Sequence, residues 1–465
     1  MPDQPKTRHK AAAADDPNSA GRNLAESGDR AAQAIALGKP LVEDHKRLLG
    51  PDHPDTLRSQ NNLAAAYLAA GRIAEAVQLH EQTLASLEQL LGPDHPDTLR
   101  SQNNLAAAYL AAGRAAEAIA LHEKALAGRE RLPGPDRPDT LGSQNNLANA
   151  YLAAGRAAEA IALHEQTLAS RERLLGPDHP DTLASQNNLA NAYQAAGRAA
   201  ETVPLHEKAL AGRKRLLGPD HPDTLGSQNN LAVAYLAAGR TAEAIALHEQ
   251  TQTSQEALLG PDHPDTLQSR DNLAFAYVSA GRVTEAIPLH EQTLADMERL
   301  LGPDHPRTQR SRSHLARTYQ HAGRFAEALP LHERTVADME RVLGPDHPGT
   351  LQSRSSLATA YEAAGRVAEA IRLLERTVAD MERVLGPDHP GTLQSRGNLA
   401  VAYQDAGRPA EALPLHERTL ADMERLLGPD HPITQIARRN LDHAHQDASA
   451  PPRRRRWGLR RRSSP

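Results

Sequence analysis

The chain has 465 residues, of which 39% are hydrophobic but only 3% aromatic, so leucine and alanine must supply most of its packing. It has no cysteine, which excludes disulfides, thiolate metal sites and cysteine nucleophiles. A formal net charge of -5 conceals a split, because seven arginines crowd the last thirteen residues and leave an acidic body.

Residues 1–27, opening "MPDQPKTRHKAAAADDPNSA", are charged and broken by proline where a secretory signal would carry an apolar run, and they read as a disordered segment of a cytoplasmic protein. No stretch of 18 apolar residues occurs. Residues 28–49 then carry Ala34, Ile35, Leu37 and Val42 at helical spacing and read as a degenerate half-repeat consisting of one helix.

From Gly50 the text becomes periodic. "GPDHP" begins at Gly50, Gly92, Gly176, Gly218, Gly260, Gly302, Gly344, Gly386 and Gly428, and "GPDRP" at Gly134, so the copies stand 42 residues apart. Nine complete periods fill residues 50–427, and each carries one tyrosine, from Tyr67 to Tyr403, at the same place. A fixed period of this length signals stacked supersecondary units rather than one globular core.

Each period reads as two helices. Pro54 fits a first helical turn and Asp55 favours the positive end of its dipole, which starts helix A. Gly71 supplies a left-handed stop, after which Ile73, Ala76, Val77, His80, Leu84, Leu87 and Leu91 form the buried stripe of helix B. Pro204, Pro288, Pro330 and Pro414 share one position inside helix B, where a local bend without breakage is expected. Residues 428–448 repeat helix A with added charge, as a cap for the open end would require.

Gln60, Leu63, Ala64 and Tyr67, then Ala76 and His80, with Gly71 between, resemble the tetratricopeptide pattern. The 42-residue period, "GPDHPDT", "NNLA" and "AEA" resemble in particular the repeats of the kinesin-light-chain type, a subclass also widespread in bacterial scaffold and regulatory proteins. The resemblance implies an all-α, right-handed superhelical α-solenoid of stacked antiparallel hairpins whose helix A lines a concave groove. It also implies a non-catalytic scaffold that holds an extended peptide or partner protein, or else a regulatory module of a signalling system.

Helical geometry sends Gln60, Leu63, Ala64 and Tyr67 to one side of helix A, and Arg58, Asn61, Ala65 and Leu68 to nearly the other. The resemblance implies that this second side faces a ligand, which makes the candidate groove residues Arg58, Asn61, Arg100, Asn103, Asn145, Asn149, Asn187, Asn191, Gln194, Asn229, Asp271, Phe275 and Arg317. Spaced amides both donate and accept, which suits an extended backbone, and Phe275 is the expected aromatic anchor. Solvation of an inner face and packing of Phe275 on the next repeat are the alternatives. Arg270, Arg312, Arg354 and Arg396 replace glutamine in periods six to nine, and pairing with helix-B glutamates such as Glu298 and Glu340 is expected.

Twenty-three histidines are spread along the periods, with no H-E-x-x-H, so no metal site is expected. No Walker loop, nucleophile elbow or EF-hand loop occurs, and neither a cofactor, a small-molecule substrate nor catalysis is expected. The tail, residues 449–465, carries Arg453, Arg454, Arg455, Arg456, Trp457, Arg460, Arg461 and Arg462. It reads as a disordered basic segment, either a solubilising end or a binder of nucleic acid, anionic membrane or acidic protein.

Overall fold

The computed structural model describes residues 27–131, 138–429 and 431–449. Twenty α-helices and no strand occur among them. Helix α1 spans Ser27–Leu49. The A helices are α2 (Pro54–Ala69), α4 (Pro96–Ala111), α6 (Pro138–Ala153), α8 (Pro180–Ala195), α10 (Pro222–Ala237), α12 (Pro264–Ser279), α14 (Pro306–His321), α16 (Pro348–Ala363) and α18 (Pro390–Asp405). The B helices are α3 (Ile73–Leu91), α5 (Ala115–Glu130), α7 (Ala157–Leu175), α9 (Ala199–Leu217), α11 (Thr241–Leu259), α13 (Val283–Leu301), α15 (Phe325–Leu343), α17 (Val367–Val384) and α19 (Pro409–Leu427), and α20 (Pro432–Ser449) follows. The chain divides into two compact units, one ending at Thr318 and one beginning at Tyr319. Within each, consecutive helices pack as antiparallel hairpins of an α-solenoid. No helix among the described residues is long and apolar enough to cross a membrane.

The repeated histidine of "GPDHP" has a local task that the sequence pattern did not disclose. His53 sits at the N-cap of α2 with extended backbone, and its Nδ1 accepts the backbone N–H of Asp55 at 3.2 Å. Such a bond satisfies one of the orphan donors that begin every helix. His95, His179 and His263 cap α4, α8 and α12 in the same way. At the other end Gly71 adopts φ +72°, its N–H bonds to Leu68 O, and Arg72 N–H bonds to Tyr67 O, which closes the helix in a Schellman motif. Only glycine takes this backbone cheaply. Proline at residues 204, 288, 330 and 414 leaves α9, α13, α15 and α19 continuous.

Leucine and alanine do make the core. Val77 and Leu84 of α3 pack on Leu105 and Ala108 of α4, and Ile161 and Leu168 of α7 on Leu189 and Ala192 of α8. Polar links reinforce each junction. The Tyr109 hydroxyl of α4 donates to Glu81 of the preceding helix B at 2.8 Å, while the Arg114 guanidinium stacks 3.9 Å from the ring centroid. The same tyrosine–glutamate–arginine set recurs at Tyr151, Tyr235 and Tyr277. It gives the invariant tyrosine and the arginine of "GR" a shared structural reason.

The four late arginines are buried and paired. In the first unit Arg270 meets Asp296 at 3.1 Å and Arg312 meets Glu298 at 3.0 Å. In the second, Arg354 bonds Glu340 and Asp380, and Arg396 bonds Glu382 and Asp422. Where earlier repeats write glutamine, Gln102 bonds Glu88 at 3.2 Å. The guanidinium thus takes over the glutamate held by an amide and adds the helix-B aspartate, which replaces the serine or glycine of earlier repeats.

Candidate functional site

The face of each helix A left open by its neighbours is narrower than helical projection suggests. Arg58, Asn62 and Ala65 of α2 are exposed, whereas Asn61 is half-buried and gives its Oδ1 to the His80 Nδ1–H at 3.1 Å. In later repeats the first asparagine of "NN" is enclosed. Asn103 donates to Ser143 Oγ and Leu99 O and accepts from His122 Nδ1. Asn187 does the same with Ser227, Leu183 and His206, and Asn229 links Ser269 to His248. Asn145, 3% exposed, accepts from Asn188 Nδ2 at 2.7 Å.

The expected groove set is corrected accordingly. Asn103, Asn145, Asn187 and Asp271 are interior, and with Asn61 and Asn229 they form a polar ladder in which Asn103, Asn187, Asn229 and Asp271 tie helix A to its own helix B and to the next helix A, Asn61 bonds its own helix B and Asn145 the next helix A. A side chain with every polar atom engaged inside the protein has nothing left to offer a ligand. Arg58 and Arg100 are exposed but engaged with Asp55 and Asp97 one turn earlier. Asn149 and Gln194 are half-buried and Asn191 is exposed.

The residues on the open face that projection missed follow the second asparagine, namely Asn62, Asn104, Asn146, Asn230 and Asn272, with His314 in the seventh repeat. The only sequence signal for them was adjacency to the first amide, and a shift of one residue rotates a helical side chain by about 100°.

Five helix-B histidines behind the ladder are held below their ordinary range. Burial pushes His80 and His248 down to about 4, and burial with a nearby arginine does the same to His122, His164 and His206. Their Nε2 atoms are buried without a partner in His164, His206 and His248, so this is a property of the repeat and not of one site.

One place in the first unit departs from the repeat. Asp271 replaces the first asparagine, is 0% exposed, and accepts from His290 Nδ1 at 3.0 Å, His314 Nδ1 at 2.6 Å and Ser311 Oγ at 3.1 Å. Burial by itself would raise its carboxyl, but the bonds and charge from the two imidazoles hold it well below the usual carboxylate range. In front of this cluster lies a cavity of about 270 Å³ lined by Val233, Leu236, His248, Asn272, Phe275, Arg310, His314 and Arg317. Phe275 and His314 have ring centroids 5.6 Å apart, and the Arg317 guanidinium stands 5.9 Å from the Phe275 centroid. Of the expected groove residues, the structure brings Phe275 and Arg317 together here. The basic tail, Arg453 to Arg462, lies outside the described residues.

Comparison with known proteins places this architecture. The tetratricopeptide repeat family model matches ten overlapping segments, from residues 18–89 to residues 397–448. The chain belongs to the tetratricopeptide repeat family. Among solved structures, this tetratricopeptide repeat protein is similar to a Podosopora anserina protein named as a kinesin light chain with nearly identical TPR-like repeats, at 42% identity, covering 44% of this chain and 98% of that one with a TM-score of 0.41. It is also similar to BtubC of P. vanneervenii, at 22% identity over 51% of this chain and 92% of that one, TM-score 0.40. A Rap protein solved with competence and sporulation factor shares the fold, at 12% identity over 80% of this chain and 98% of that one, TM-score 0.50. No curated protein matches the chain.

Proposed function

We propose that this tetratricopeptide repeat protein is a non-catalytic interaction scaffold, and that the open face of its A helices in the first unit holds a segment of a partner protein. The observation that carries the reading is the cavity at Phe275, where apolar wall, aromatic ring, amide and two arginines outside any ion pair among the described residues converge on a face otherwise tiled with small and amide side chains. Such a mixture fits recognition better than packing, because a few convergent polar groups set in an apolar concavity are what orient a ligand, and aromatic and arginine side chains carry most interface energy. The family, and the complex with competence and sporulation factor named for the Rap protein, agree with this reading.

Affinity capture with Phe275→Ala and Arg317→Ala tests it. Both substitutions sit on the open face, so helix content and melting stay as in the parent protein while partner recovery falls by tenfold or more. Unchanged recovery from both variants would move the interaction elsewhere.

A further inference from the structure

Resting on that reading of the A-helix face, we infer that the cavity at Phe275 is a receptor for an aromatic phosphate, the phosphotyrosine side chain of a bound protein segment. The argument begins with charge. Arg310, His314 and Arg317 lie at i, i+4 and i+7 of α14 and so share one face. In the first two repeats the arginine equivalent to Arg310 is neutralised by an aspartate three residues earlier, as Arg58 is by Asp55 at 2.7 Å. In α14 that aspartate position is Arg307, which is itself taken by Asp265 at 3.0 Å. Among the described residues neither Arg310 nor Arg317 has a carboxylate at ion-pair distance, although Arg270 and Arg312 nearby do, and the Asp271 carboxylate acts on Arg310 only from beyond that distance. The buried Asp271 behind them is already enclosed by Ser311, His290 and His314, and by engaging Nδ1 of His314 it leaves that ring's Nε2 for a ligand.

Two guanidiniums with no carboxylate at ion-pair distance call for more than one negative charge. A carboxylate brings one charge and is saturated by a single bidentate arginine, whereas a phosphomonoester brings nearly two and three acceptor oxygens. Asn272 adds a neutral donor, since its Oδ1 already accepts from Gln268 at 2.9 Å and its amide hydrogens remain available. The remainder of the cavity is formed by Val233, Leu236, the Phe275 ring and the His248 imidazole, and its flat and aliphatic surfaces suit an aromatic ring rather than the short stem of phosphoserine. Its volume of about 270 Å³ lies below the range for whole drug-sized ligands and matches a single large side chain.

The test uses the full chain and fluorescence-labelled pentapeptides carrying phosphotyrosine, tyrosine, phosphoserine or glutamate between alanines, with phenyl phosphate and phenylacetate as competitors. The phosphotyrosine peptide is expected to bind saturably and at least about tenfold more tightly than the other three, with phenyl phosphate displacing it and phenylacetate not. Arg310→Gln, Arg317→Gln and Phe275→Ala each weaken it about tenfold, Arg58→Gln leaves it unchanged, and unaltered circular dichroism shows that the variants fold. Equal affinity for the glutamate or tyrosine peptide, no saturation at millimolar concentration, or indifference to both arginine substitutions would overturn the inference. If phenyl phosphate binds as strongly as the peptide, the ligand is a free aromatic phosphate and the protein-segment source is wrong. Capture of a purified partner that survives phosphatase treatment but is lost in Phe275→Ala would defeat the phosphate while sparing the scaffold reading.

Discussion

The polar ladder predicts a specific acid sensitivity that one repeat lacks by nature. His206 is 0% exposed, donates Nδ1–H to Asn187 at 2.8 Å, and is pushed from an ordinary 6.5 down to about 4 by burial and by Arg213. Above pH 6.5 both folded and unfolded chains carry it neutral, so it has no pH effect there. Between pH 6.5 and 4 the unfolded chain takes up a proton that the folded chain refuses, and stability falls as the pH falls through that window. From the size of the displacement the loss is about 2 kcal/mol at pH 5 and approaches about 3 kcal/mol below pH 4. The eighth repeat writes Ser355 and Leu374 at these two positions, with Leu374 fully buried and Ser395 bonded to Ser355 at 3.0 Å. The double substitution Asn187→Ser with His206→Leu therefore transplants a packing solution the protein already uses. Urea unfolding and amide hydrogen exchange across α8 and α9 at pH 7.5 and pH 5 provide the assay. The variant should stay within about 1 kcal/mol of the parent protein at pH 7.5 and lose about 2 kcal/mol less on going to pH 5. An identical pH response in the two proteins, or a parent insensitive between pH 7 and 4.5, would refute the reasoning.

Other consequences follow from single contacts. Arg396 is 0% exposed between Glu382 and Asp422, so Arg396→Met strands two acids and should cost about 3–5 kcal/mol in chemical unfolding, while Arg396→Gln with Asp422→Ser, the arrangement of the first repeat, should recover most of it. His179→Ala removes the Nδ1 cap on Asp181 N–H and should cost about 1 kcal/mol, with His179→Asn retaining the cap and the stability. Gly212→Leu should destabilise α9 against α8 by about 1–3 kcal/mol, because even a Cβ there would run into Leu183 Cδ2.

The sequence made the helices legible because period, proline, aspartate and glycine recur in phase, and each acts within a few residues of itself. The pairing of Arg312 with Glu298 and of Arg354 with Glu340 was legible for the same reason, since the substituted positions repeat in register. The open face was only partly legible. Projection from one helix cannot know that the first asparagine meets a histidine nineteen residues later and a serine forty residues later, as Asn187 does with His206 and Ser227. Nor could it foresee that the histidine of "GPDHP" folds back on its own helix start, since an imidazole is an uncommon cap. Phe275 and Arg317 stood out because they break the repeat, and Arg310 was missed because its significance lies in the aspartate that Arg307 replaces.

A photo-crosslinking amino acid at single positions of the full chain addresses the scaffold reading most directly. Placed at Val233, on the wall of the cavity, it should form a covalent adduct with one partner segment, and the adduct should vanish with Arg317→Ala. Placed at Leu174, exposed near the end of a B helix, it should form none. Equal adducts from Leu174, or no adduct from Val233 in a preparation that still captures its partner, would contradict the account.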